Sequence, residues 1–280
     1  MNTPIRAGLI GSGIAQSRTP GMHMAEGASL GLSYTYEVID SDDRPGVAFA
    51  DLLAAAEDKG LAGVNVTYPF KQIALQHVDH AERSATMVGA TNTIVFQNGK
   101  RVAHNTDVTG FSAAFRSEIC GTAPIFHVLL VGAGGAGAAV AHALMDCGVT
   151  KLSVLDRDVG AARDLVCMLT ELWGDGRADV ALHPADVTDR VDGIVNATPM
   201  GMAKLPGTAI DLSLIAARHW VADVVYFPLQ TALLAGAAVK GCRVMNGAGM
   251  AVGQAVDAFV LFTGRPADPV RMRAHFDSLA

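Results

Sequence analysis

VLLVGAGGAGAAVAHAL, residues 128–144, and VLDRD, residues 154–158, decide the fold of this chain. Val128 to Val131 is a short apolar run, as a buried parallel strand shows. Gly132, Gly134 and Gly137 follow with the spacing G-x-G-x-x-G, and Gly135 and Ala136 lie inside it. An Ala-rich helix is expected next, closed by Gly148 at its C-terminal end. Asp156 ends a second apolar strand, 24 positions after Gly132. Strand, glycines, helix, strand and acid form a dinucleotide-binding pattern in its proper context. Gly132 permits the tight turn, Gly134 lets a pyrophosphate approach the backbone, and Gly137 lets helix and sheet pack closely. The helix N-terminus then favours the phosphates.

Asp156 bears on the choice of nucleotide. A carboxylate there accepts hydrogen bonds from a ribose 2′-hydroxyl and repels a 2′-phosphate. Asp158 adds a second negative charge. Arg157 lies between them and could clamp a phosphate, so NADP stays open while two acids against one base favour NAD.

The chain is long for one core, and two lobes are expected. The chain has 280 residues, half of them hydrophobic, and a formal net charge of −6. No basic tract marks a nucleic-acid or acidic-membrane partner. The longest apolar stretch is broken by glycines and too short to span a bilayer. The start MNTPIRAGLIGSG lacks the features of a signal peptide, and a cytoplasmic location is expected. Cys120, Cys147, Cys167 and Cys242 are scattered, without metal or disulfide spacing, and the nine histidines show no zinc pattern. No metal is expected. Asn65-Val-Thr67 and Asn196-Ala-Thr198 match the glycosylation pattern, but both have other readings.

The first hundred residues alternate strand-like and helix-like pieces. Strands are expected to close at Ile10 and to cover Tyr34–Ile39, Gly63–Val66, Thr91–Phe96 and Arg101–His104. Asn98-Gly99 turns the last two into a hairpin at the sheet edge. Helices are expected from Thr19-Pro20, with Thr19 as cap, and over Val47–Lys59. Gly11-Ser12-Gly13 also follows a strand, but position 16 is Gln and no acid-ended strand is expected at the right distance. It reads as a polar loop. The nucleotide lobe is placed at residues 110–246, with further strands at Asp179–Leu182, Gly193–Asn196, Trp220–Val225 and Cys242–Met245. The remainder, 1–109 plus 247–280, forms the other lobe, with a last helix over Met250–Thr263.

Polar clusters lie at Ser17–Pro20, Asn65–Lys71, Gly89–Thr93 and His104–Asp107, mostly after or between strands, where open α/β sheets bind ligands. Their short hydroxyls and amides suit a hydroxyl-rich ligand. Lys71, expected at the start of a helix after Pro69, could exchange a proton with a substrate hydroxyl, and Asp107 could orient it. A surface Lys and a capping Asp is the plain alternative. His23, His104, His142, Trp173 and Trp220 read as packing residues.

NVTYPFK, GATNT, HNTD, GAGGAG, NATPMG and NGAGMAVGQAVDAF, taken in order, resemble the motif series of the shikimate/quinate dehydrogenase family. The resemblance implies an N-terminal α/β substrate domain and a doubly wound Rossmann nucleotide domain. It implies Lys71 and Asp107 as the catalytic pair, with Ser17 and Thr19 on the substrate carboxylate. Thr67, Asn92 and Gln254 would hold ring hydroxyls, with Tyr226 at the substrate edge. Thr198, Val224, Gly247 and Met250 would join Gly132, Gly134, Gly135, Ala136, Gly137, Asp156 and Arg157 in cofactor binding. Thr19 and Asp156-Arg157-Asp158 resemble the NAD-using branch that accepts quinate as well as shikimate. The implied reaction is reversible, NAD-dependent oxidation of the C3 hydroxyl of shikimate or quinate, a step of aromatic biosynthesis or of quinate use, by a monomer or homodimer. A two-lobed folate dehydrogenase and a catalytically silent NAD-binding sensor are the other classes that fit parts of the pattern.

Overall fold

The computed structural model describes residues 4–279; Met1–Thr3 and Ala280, part of the expected outer segments, lie outside the described residues. The chain divides into two compact units, residues 1–110 with 251–280, and residues 111–250.

The first unit is built on six strands: β1 (Ile5–Gly11), β2 (Tyr34–Asp40), β3 (Gly63–Val66), β4 (His80–Ala81), β5 (Thr93–Gln97) and β6 (Lys100–His104). Their order across the sheet is β2-β1-β3-β5-β6-β4. β1 runs parallel to β2 and β3, whereas β5 is antiparallel to both β3 and β6. Alternation along the strands divides the core between two faces. Ile10, Ile39, Val64, Val66 and Ile94 face α2 (Phe49–Asp58), which buries Phe49, Leu52, Leu53 and Ala56 at helical spacing. Ala7, Leu9, Tyr34, Tyr36 and Val95 pack instead with Ala258, Phe259 and Phe262.

Asn98 and Gly99 make the β5–β6 turn with φ of 52° and 69°, as a two-residue hairpin of this hand requires. The hairpin is not at the edge, however. β4 pairs outside β6, and a two-residue strand is too short to leave an alternation signal. Thr19 is not a cap either. Arg18 occupies that position and Thr19 is the first residue of α1 (Thr19–Ser29).

The helix expected from Met250 begins at Ala248 and runs to Thr263 as α8. A further helix, α9 (Pro269–Ser278), was not expected. Its start is conventional: Asp268 accepts from the Val270 and Arg271 amides, and Pro269 occupies the first turn. It is tied to α1 by Glu26, whose buried carboxylate accepts from Arg271 Nε and Nη2, both at 2.7 Å.

The second unit has six parallel strands: β7 (His127–Val131), β8 (Lys151–Leu155), β9 (Ala178–Val180), β10 (Gly193–Asn196), β11 (Trp220–Asp223) and β12 (Arg243–Met245). Their order is β12-β11-β10-β7-β8-β9. The chain thus leaves β7 in one direction and returns to the other side of it, so the switch point lies between β7 and β10. That doubly wound order places a ligand at the carboxyl ends of these strands. Leu129, Val131, Ile194 and Val221 pack against Leu233, Leu234 and Ala237 of α7 (Ala232–Val239). β11 stops at Asp223, short of the expected Val225, because the Asp223 carboxylate accepts from the Val225 amide and turns the chain.

Candidate active site

The glycine-rich turn leads from β7 into α5 (Gly135–Asp146). Gly132 has φ of 106°, open to glycine and strained for other residues. A Cβ on Gly137 would overlap the Gly132 carbonyl oxygen, so helix and turn meet backbone to backbone. A Cβ on Gly134 would meet nothing within 4 Å, which leaves open room beside the helix start. No side chain caps α5 at Gly134. An uncapped helix N-terminus facing open space fits a pyrophosphate.

Asp156 follows β8. Its Oδ2 accepts from the Ala133 amide at 2.7 Å and its Oδ1 from the Asp158 amide at 2.9 Å. The glycine loop therefore holds the carboxylate in place, with lone pairs left for a ribose. Asp158 has a job that the charge argument did not assign it: it caps α6 (Val159–Trp173) through the Gly160 and Ala161 amides. Arg157 is exposed. After β10, Asn196 Oδ1 accepts from the amide and hydroxyl of Thr198, and Thr198 Oγ1 accepts from the Met200 amide. Val224 and Tyr226 are half-buried after β11. Gly247 is buried where a Cβ would overlap the Val224 carbonyl oxygen, and Met250 is buried in the first turn of α8.

In the first unit, Lys71 Nζ donates to Asp107 Oδ2 at 2.6 Å, and the two side chains are 17% and 5% exposed. Lys71 does not start an α-helix. It lies in a turn, and only a short 3₁₀ segment, Ile73–His77, follows. No helix end lies at Lys71 to activate it; what the structure supplies is a carboxylate that holds the side chain in place. Asp107 is the first residue of α4 (Asp107–Glu118), and its amide donates to Asn105 Oδ1.

Behind this pair lies a buried amide network. Asn105 Nδ2 donates to the Ala90 carbonyl. Asn92 Oδ1 accepts from the Thr106 amide, and Asn92 Nδ2 donates to Thr106 Oγ1. Asn92 thus also braces the turn that carries Asp107, with one amide hydrogen left for a ligand. Asn65 accepts from Tyr36 Oη at 2.7 Å and donates to Thr93 Oγ1 at 2.9 Å. Asn65 and Asn196 are buried, so neither can carry a glycan in the folded protein. Thr67 is half-buried just past β3. Ser17 Oγ accepts from the Thr19 amide at the start of α1, which no side chain caps. Gln254 is half-buried on α8.

The site reading missed Asn105, Asn65 and Asp40. The first two lay in quoted clusters but were not singled out; Asn65, between Val64 and Val66, had a signal as an amide inside an apolar strand, whereas Asn105, between His104 and Thr106, had none. Asp40 corrects the view of Gly11-Ser12-Gly13. An acid-ended strand does follow, and Asp40 accepts from the Gly13 and Ile14 amides at 2.9 and 2.8 Å. This loop thus keeps a carboxylate of its own on its amides. His23 is buried among Tyr34, Tyr36 and Phe259, as a packing residue is.

A nucleotide cradle on a doubly wound sheet, with a buried lysine–carboxylate pair on a second α/β sheet, defines the class of two-unit dinucleotide oxidoreductases. Comparison with known proteins narrows the class. Residues 9–94 match the model described as the shikimate dehydrogenase substrate binding domain. The quinate/shikimate dehydrogenase (NAD(+)) of Corynebacterium glutamicum (strain R) is 45% identical over all of both chains. The shikimate dehydrogenase (NADP(+)) of Pseudarthrobacter chlorophenolicus is 44% identical, over 96% of this chain and 93% of that one. Among solved structures, the quinate dehydrogenase of Corynebacterium glutamicum in complex with NAD superposes with a TM-score of 0.89 at 43% identity, covering 99% of this chain and 100% of that one. The chain belongs to the shikimate/quinate dehydrogenase family.

Proposed function

We propose that this chain is an NAD-dependent dehydrogenase that reversibly oxidises the C3 hydroxyl of shikimate, quinate or both. The observation that carries the reading is the 2.6 Å pair of Lys71 and Asp107, mostly removed from water. Lys71 takes the hydroxyl proton as the alcohol becomes a ketone, and in the reverse direction the paired ammonium returns it. Asp107 holds the Lys71 side chain in place; α4 and the Asn105–Asn92 network fix Asp107 in turn. Ser17 and Thr19, at the positive end of α1, hold the ring carboxylate. Thr67, Asn92 and Gln254 hold the ring hydroxyls, and Tyr226 closes the substrate edge. Residues 1–109 with 247–280 serve the substrate and 110–246 the nucleotide, except that Gly247 and Met250 serve the nucleotide and Tyr226 the substrate edge.

Gly132, Gly134, Gly135, Ala136 and Gly137 hold the pyrophosphate, and Asp156 takes the ribose hydroxyls beside Arg157. Thr198, Val224, Gly247 and Met250 line the nicotinamide side. Bound NAD supplies the hydride acceptor. Overall identity does not choose the nucleotide, since NAD- and NADP-named relatives stand at 45% and 44%. Asp156 does, because a 2′-phosphate there faces a fixed carboxylate. Family membership decides against the folate alternative, and a buried proton-transfer pair argues against a silent sensor. The four cysteines are free, which fits a reducing, cytoplasmic compartment; the enzyme acts as a monomer or homodimer. No described helix is long and apolar enough to cross a membrane.

Initial rates on purified protein, crossing shikimate and quinate with NAD and NADP, test the reading. Turnover with NAD is expected on at least one acid. Lys71→Ala is expected to lose about 10²–10⁴-fold in turnover while binding NAD as the wild type does. Wild-type turnover in that variant removes Lys71 from the chemistry.

A further inference from the structure

Asp223 is an acid that the reaction above does not use. It ends β11 and is 1% exposed. Three donors converge on its carboxylate from three directions. Asn196 Nδ2, at the end of β10, reaches Oδ1 at 2.9 Å. The Val225 amide reaches the same oxygen at 3.0 Å. Thr231 Oγ, at the cap of α7, reaches Oδ2 at 2.7 Å. Gly201, with φ of 102°, packs over the cluster, so that a Cβ there would lie 3.3 Å from Thr231 Cβ and 3.7 Å from Asp223 Oδ2.

A buried carboxylate without a cation beside it is costly, and the three donors offset only part of that cost. These donors belong to the two segments that leave adjacent strands on the nucleotide side of the sheet. Asn196 extends the network, because its other amide hydrogen reaches the Met200 carbonyl at 2.9 Å and its Oδ1 holds Thr198. We infer that Asp223 is a positioning residue for the nicotinamide: through Asn196 it fixes Thr198 and Met200, and through the Val225 amide it fixes Val224 and the approach to Tyr226. The inference rests on the reading that the second unit binds NAD.

The ionised form holds this geometry best, since it accepts all three bonds, whereas a protonated carboxyl keeps the Thr231 contact only by reversing it. Burial pushes the Asp223 carboxyl up to about 6, against the three hydrogen bonds that favour its charge. The groups that act on it are Asn196 of β10, Val225 beyond β11 and Thr231 of α7, and none of them is charged. Gly201, which packs over it, has no side chain to titrate.

The test uses full-length enzyme and two independent readouts. Hydrogen exchange without nucleotide reports the segment 197–201, and calorimetry reports NAD affinity across about pH 5 to 8. Asp223→Asn is expected to speed exchange at Thr198 and Met200 and to raise the NAD dissociation constant about tenfold near pH 8. In the wild type NAD affinity should fall as pH drops through about 6, and in Asp223→Asn that step should vanish. KM for NAD should rise more than kcat falls, and more than KM for the acid, which the segment reaches only through Tyr226. Thr231→Val removes one donor and leaves the carboxylate; it should show part of the loss, and Thr231→Ser should restore it. Unchanged exchange at 197–201 in Asp223→Asn, or wild-type NAD affinity with the step retained, overturns the inference. Failure of the wild type itself to bind NAD sinks the nucleotide reading instead, and exchange still decides whether Asp223 holds the loop.

Discussion

His23 shows what a single buried side chain does to stability. Its ring packs on Tyr34, Tyr36 and Phe259, and its Nδ1 pairs with Tyr34 Oη at 2.9 Å. Burial pushes its imidazole down from 6.5 to about 3. The folded protein therefore binds one proton fewer than the unfolded chain between these values. Stability is fully present above 6.5 and falls as pH drops toward 3, by about 1.4 kcal/mol per pH unit. His23→Leu should remove that slope. Urea unfolding near pH 6.5 and near pH 5 measures it, and an unchanged slope means another group carries the acid sensitivity. Asp156 makes a prediction of specificity. Asp156→Ala loses the acceptor for a ribose hydroxyl and the charge against a phosphate. The ratio of kcat/KM for NAD over NADP should fall about tenfold or more, as expected for a hydrogen bond to a charged group. A ratio equal to the wild type places the discrimination elsewhere.

At the scale of elements, the glycine turn before α5 separates packing from binding. Gly137→Ala drives a methyl into the Gly132 carbonyl. It should cost about 1–3 kcal/mol of stability and abolish NAD binding. Gly134→Ala meets nothing in the protein. It should leave the melting temperature near the wild type while weakening NAD, because the methyl occupies room that the pyrophosphate needs. Equal melting losses in the two variants contradict that division of roles. α9 illustrates the limit of pattern reading. Its cap and proline were visible, but its short, largely polar face was not. It is held by Glu26, from the opposite end of the sequence.

For the whole molecule, the two units have separate cores. Ligands bound to one unit should therefore leave local signatures. NAD at about 100 times its dissociation constant should stabilise the folded state by about 2.7 kcal/mol. Exchange protection should gather at 132–137 and 196–201, and shikimate or quinate should protect 65–71 and 104–107 instead. NAD protection confined to the first unit would falsify the division of labour between units.

Local physics made much of this protein legible in one dimension. A strand, a glycine that must take positive φ, a second that must pack on backbone and an acid at the next strand end are all short-range requirements. They marked the nucleotide unit, its central strands and Asp156. The Asn-Gly turn was legible for the same reason, and ordered motifs marked Lys71 and Asp107. What required the tertiary structure were contacts between distant segments. Periodicity says nothing about which carboxylate a loop amide will meet, so Asp40 on Gly13 was unreadable, whereas Asp158 at a helix cap is a local signal that the charge reading passed over. The same limit hid β4 outside the hairpin and α9 on Glu26. It also hid Asp223, whose donors include Asn196, 27 positions earlier at the end of the neighbouring strand. Lys71 joins both cases: sequence picked the residue, but the reason offered was a helix that is not there. The fold supplied the partner it does have, a carboxylate 36 positions away and 2.6 Å distant.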